Sequence, residues 1–190
     1  MQNALVVSRY KLWVIGLYIV IFPLFFIFIP SVLRYDTKGT DLGKIFLISI
    51  VTFLGFYFLN LASGSRKIRW QSPGSHQIVL MVIYALLFAI PEEIIFRGII
   101  QGALQNTLGN TGMAVIAASA IFGLAHLPNG ARGWRPRDWN WGLTRAVLLV
   151  GLPLGLIFAI TGSLLFPTLL HAFFLVFLKL FTSSTKGESP

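Results

Sequence analysis

The chain has 190 residues, 56% of them hydrophobic and 11% charged, with a mean hydropathy of +0.79. That is more apolar material than a single soluble core can bury, so the composition excludes an ordinary soluble domain and points to an integral membrane protein. Fifteen Lys and Arg against six Asp and Glu give a net charge of +9. These basic residues sit in short segments between apolar runs, where they act as topology signals and not as a nucleic-acid surface, while the lack of cysteine excludes disulfides and a thiol nucleophile.

Six apolar helices are predicted in chain order, at about 12–33, 45–61, 78–100, 111–127, 144–160 and 163–181. The expected fold is therefore all-α, a polytopic membrane bundle of about six transmembrane helices forming a single membrane domain over 1–190. The first run follows Arg9 and Lys11 as a signal sequence would. It is long, however, and has no small-x-small pattern before Arg34, so it reads as a retained anchor. The longer connections, 62–77 and 128–143, are basic and contain glycine and proline. The second also carries Trp134, Trp139 and Trp141, the composition of a loop lying at headgroup level and contacting membrane lipid.

Charge bias sets an orientation. With the N-terminus in the cytoplasm, eleven Lys and Arg fall on the cytoplasmic side and three, Arg34, Lys38 and Lys44, on the other. Both termini are accordingly expected in the cytoplasm of a cell inner or plasma membrane.

Against this background the stretch AIPEEIIFRG, residues 89–98, stands out. Glu92 lies about 21 Å along a helix that starts at Ile78, too deep for a glutamate to snorkel to water. Glu93 and Arg97 are four apart and can meet on one helical face, while Glu92 is offset by about 100° and can point elsewhere. The simplest arrangement pairs Glu93 with Arg97 and leaves Glu92 available, although spacing alone allows either glutamate the structural role. A plainer reading makes PEEIIFR an interfacial helix end kinked at Pro91.

Histidine placement favours the functional reading. His76 lies in a basic loop, but His126 ends one apolar run and His171 lies inside another. Each alone reads as a helix contact. Together with the carboxylates they form a set able to hold and activate water, either through a bound metal or by general-base action. Full-length straight spans would leave Glu92, His126 and His171 at different depths, which a Pro91 bend, tilting or shifted helix ends would have to reconcile.

These residues resemble the CAAX protease and bacteriocin-processing (CPBP or Abi) family of intramembrane proteases. The motifs are Glu92-Glu93-Ile-Ile-Phe-Arg97, Phe122-Gly-Leu-Ala-His126 and His171-Ala-Phe-Phe-Leu175, and the resemblance covers about residues 78–180. It implies an endopeptidase acting on a membrane-associated, or prenylated, protein or peptide. Glu92 would activate water, Glu93 would be a second active-site carboxylate, Arg97 would organise the pair, and His126 and His171 would complete the site. A divalent metal such as zinc on Glu92, His126 and His171 is compatible with the resemblance, which does not require it. The family's usual asparagine is Leu175 here, and leucine cannot donate a hydrogen bond to an oxyanion. A catalytically inactive membrane binding protein or chaperone and a small ion or proton transporter are the alternative classes.

Overall fold

The computed structural model describes residues 41–62, 68–70, 73–129, 133 and 135–183, all within the compact unit Arg34–Pro190. The predicted first helix, 12–33, lies outside the described residues. Helix α1 (Leu42–Ala62) starts at Asp41, whose carboxylate accepts the Lys44 backbone N–H at 3.1 Å. That bond and the Lys44 ammonium hold the Asp41 carboxyl below its ordinary range. Strand β1 (Ile68–Trp70) pairs antiparallel with β2 (Phe181–Ser183). Between them run α2 (Ser75–Leu108), α3 (Thr111–Ala125), α4 (Trp141–Thr161) and α5 (Leu165–Leu180).

Capping residues set where these helices begin and end. Gly109 and Gly162, at φ of 60° and 63°, close α2 and α4 in the left-handed region. Asn110 and Asn140 cap α3 and α4 by accepting the backbone N–H groups of Met113 and Leu143. Hydroxyls inside apolar helices bond back to the carbonyl four residues earlier, as Thr161 does to Ile157 at 2.8 Å. These hydroxyls therefore do not face hydrocarbon unpaired.

Helix α2 changes character in its middle. Pro91 has no N–H for the carbonyl four residues back, and from Ile94 to Gln101 the backbone widens into a π-helical segment before returning to α at Gly102. The Gly102 N–H reaches the Arg97 carbonyl five residues earlier. Glu92 and Glu93 thus sit between a proline and a π segment.

The expectation of about six transmembrane helices is overturned. Among the described residues only two helices, Ser75–Leu108 and Trp141–Thr161, are long and apolar enough to cross a membrane. Helices α3 and α5, with 15 and 16 residues, are too short, because at about 1.5 Å per residue neither reaches the roughly 30 Å of a hydrocarbon core. The bundle is α-helical as expected, with one short β ribbon joining the chain before α2 to the end of α5. In the most apolar windows of the two candidate spans only 28% and 33% of residues are buried. Most of that apolar surface therefore faces outward, as lipid contact requires and a soluble core does not. The chain is a membrane-associated helical protein.

Packing places the site. Helices α2 and α5 run antiparallel, with Ala85 and Ala89 against Ala172, Leu175 and Val176 and the Lys179 ammonium 3.6 Å from the Tyr84 ring centroid. Helix α3 also runs back along α2, and its C-cap, His126, comes level with Glu92 about halfway along α2. The depth mismatch of the six-span picture disappears because α3 is not a full span.

Candidate active site

Three helices bring all five predicted site residues together. Glu92, Glu93 and Arg97 come from α2, His126 from the end of α3 and His171 from the middle of α5. The two glutamates have different surroundings. Glu93 and Arg97 are completely buried, and Arg97 Nε donates to Glu93 Oε2 at 3.1 Å. The second oxygen, Glu93 Oε1, lies 2.8 Å from His171 Nδ1. Glu92 takes no part in this pairing; its side chain and that of His126 are each 15% exposed, so this carboxylate faces the accessible side of the cluster.

The histidine tautomers follow from their partners. His126 Nδ1 lies 2.9 Å from the Phe122 carbonyl, which can only accept, so Nδ1 carries the proton. His171 Nδ1 likewise donates to the Glu93 carboxylate. In the neutral rings both Nε2 atoms are then lone pairs, and both face Glu92: its Oε2 is 3.9 Å from His126 Nε2 and 3.7 Å from His171 Nε2. These separations are too long for direct hydrogen bonds and leave the three groups around one shared position. With both glutamates ionised and both rings neutral, Arg97 balances one of the two negative charges. The cluster retains one negative charge, which suits it to hold a proton or a cation.

Phe122 was quoted in the sequence motif but given no role there. Its ring lies under the Arg97 guanidinium, 5.1 Å from Cζ to centroid, and meets His126 and His171 edge-on at 4.9 and 5.8 Å. It thus packs against the Arg97 end of the buried ion pair and against both histidine rings, while Glu93 reaches His171 directly. Gly151 and Gly155, small residues four apart on one stripe of α4, lie at a close helix contact, with α4 against Arg97, Gln101, Ser119 and Phe122. Gly102 is less closely packed, with only the Arg97 carbonyl within 4 Å of a would-be Cβ. Gln101 was missed altogether, since one glutamine at the end of an apolar run carries no pattern. His76 is exposed in the first turn of α2, away from the site.

Two imidazole nitrogens and a carboxylate oxygen are the donor chemistry of a catalytic zinc site, and Glu93 behind His171 is the carboxylate that orients such a ligand ring. As the side chains are placed, no group of three or more His, Cys, Asp or Glu among the described residues has a metal-binding arrangement. The donor types fit a divalent cation; the spacing is wider than coordination.

The fold and the cluster define a class: a membrane helical bundle with a glutamate–histidine centre at a helix end and a sealed ion pair behind it. The family model of type II CAAX prenyl endopeptidase Rce1-like proteins matches residues 74–177, and the chain belongs to this CAAX protease (CPBP/Abi) family. The resemblance seen in the three motifs is thereby borne out over nearly the range assigned to it. No curated protein and no solved structure matches the chain.

Proposed function

We propose that the protein is an intramembrane endopeptidase in which Glu92 activates water for attack on a peptide carbonyl. The observation that carries this reading is the convergence of Glu92 Oε2 with His126 Nε2 and His171 Nε2 at 3.9 and 3.7 Å, while both Nδ1 atoms are committed elsewhere. A water held among these groups gives a proton to the Glu92 carboxylate as its oxygen bonds to the carbonyl carbon. The C–N bond then breaks, and Glu92 returns the proton to the leaving amine. His126 orients the water. When His171 Nε2 also carries a proton, the ring is a cation braced by Glu93 and donates to the developing oxyanion. A divalent cation, when bound by Glu92, His126 and His171, would supply Lewis-acid activation of the same water.

The substrate class follows from the setting: a protein or peptide segment presented at the membrane, with the prenylated C-terminal type named for the family as the first candidate. The excess of Lys and Arg in the loop between α3 and α4 supports a cytoplasmic side for that loop.

The test is terminal-peptide mass spectrometry on membranes containing equal amounts of inserted wild-type protein or Glu92→Gln. New termini present only with wild type are expected, since glutamine keeps the shape but cannot take the proton. Equal cleavage by Glu92→Gln would remove Glu92 from the base role. One observation favours a second reading, a non-catalytic binding protein: Leu175 packs in an apolar cluster with Ala85, Ala89 and Ala172 and offers no donor to an oxyanion. A stable partner complex that survives Glu92→Gln, with no new termini in wild type, would select it.

A further inference from the structure

Deeper in the bundle than the glutamate–histidine centre, α2 meets α4 through a second set of polar atoms. Gln101 is completely buried, and its Nε2 donates to the Gly155 carbonyl at 2.8 Å, tying the end of the π segment to α4. Its Oε1 has no hydrogen-bond partner, and neither do Arg97 Nη1 and Nη2. All three atoms lie against the same stretch of α4. A Cβ on Gly155 would stand 2.8 Å from Gln101 Oε1 and 3.5 Å from Arg97 Nη1, and one on Gly151 would stand 3.4 Å from Arg97 Nη2. An acceptor without a donor thus lies beside donors without an acceptor, on a helix face that only glycine leaves bare. Groups desolvated in this way cost about 1–3 kcal/mol each when unmatched, so the pairing of these atoms is strongly favoured.

We propose that Gln101, seated by Gly151 and Gly155, is a positioning residue for the glutamate–histidine centre. Gln101 Oε1 accepts from Arg97 Nη1, directly or through one bridging water, while Nε2 anchors the side chain to α4. The guanidinium is then held at both ends. Its Nε fixes Glu93 Oε2, and Glu93 Oε1 fixes the His171 ring and its tautomer. The small-residue stripe of α4 therefore acts through Gln101 and Arg97 on an imidazole two helices away. The catalytic consequence rests on the endopeptidase reading; the structural linkage does not.

The test uses the full-length chain in lipid nanodiscs, with ¹⁵N-labelled histidine, and reads the His171 Nδ1–H resonance alongside cleavage of a farnesylated peptide. Gln101→Met keeps the length and removes both polar functions. Gly155→Ala keeps Gln101 but puts a Cβ 2.8 Å from its Oε1, close enough to displace it. Both are expected to move the His171 Nδ1–H signal upfield, as its hydrogen bond to Glu93 weakens, and to lower kcat about 10- to 100-fold with KM little changed. Gly123→Ala is the control for plain crowding: its Cβ would stand 2.9 Å from both Leu148 Cβ and the Thr144 carbonyl, with no contact to Arg97, and the His171 signal should stay in place. An unmoved His171 signal in whichever of Gln101→Met and Gly155→Ala folds, or an equal shift in Gly123→Ala, overturns the proposal. A moved signal in a protein whose wild type does not cleave the peptide keeps the positioning role and counts against the endopeptidase reading alone.

Discussion

Glu92 and Glu93 are neighbours with the same side chain, yet one is sealed in an ion pair and the other faces the accessible side of the cluster. The spacing of Glu93 and Arg97 was enough to anticipate a pair on one helical face. It could not decide which glutamate takes the structural place, because that depends on where His171 and α4 lie, and helical phase carries no record of either. The outcome makes Arg97 the residue whose loss should cost most. Arg97→Met leaves the Glu93 carboxylate fully buried without its cation, so a loss of about 3–5 kcal/mol in unfolding free energy is expected in detergent-solubilised protein. Arg97→Lys should recover only part of it, since an ammonium cannot reproduce the side-on Nε bond together with the contact over Phe122. A change below about 1 kcal/mol in Arg97→Met would show that the carboxylate finds water or a proton instead.

At the level of elements, hydropathy located the helices but not their ends. The runs 111–127 and 163–181 stay apolar past the points where α3 and α5 stop or start, because Leu127 and Leu164 are as apolar as the residues inside the helices. What ends a helix is capping chemistry. Glycine alone does not mark the boundary: Gly109 closes α2 in the left-handed region, whereas Gly112, three residues on, lies inside α3. The π segment left no sign in a pattern of apolar residues, and Pro91 marked only its neighbourhood. Gly162→Ala and Gly109→Ala place a Cβ in the left-handed region and should each destabilise by about 1–2 kcal/mol in thermal unfolding. Gly74→Ala, at φ −66° with nothing within 4 Å of its Cβ, should be close to neutral. Equal effects at all three positions would mean that backbone conformation is not what these glycines supply.

For the molecule as a whole, the number of spans and the depth of the site are one question. Counting six full spans buried Glu92 about 21 Å deep and set His126 near a membrane surface, a conflict produced by treating α3 as long enough to cross. With α3 ending level with Glu92, the partly exposed Glu92 and His126 side chains lie next to the start of the loop from α3 to α4. That loop closes on itself through the Asn140 N–H to the Leu127 carbonyl and the Asn140 side chain to the Asn129 carbonyl. It presents Arg135 and Arg137 to the outside, with Trp139 and Trp141 beside them, and such a surface belongs at headgroup level. On the proposed endopeptidase reading, water would reach Glu92 from that interface. Because the chain contains no cysteine, single substitutions report depth and side without a background. Arg137→Cys should react with a membrane-impermeant maleimide in inside-out vesicles and stay unmodified in intact cells. Ile121→Cys and Leu156→Cys, exposed on the outer faces of α3 and α4, should resist the reagent from both sides because lipid covers them. Labelling of Arg137→Cys in intact cells would invert the orientation inferred from charge. Its protection from both sides would place the loop, and with it the mouth of the site, within the hydrocarbon, where the proposed water-activating chemistry would lack its supply.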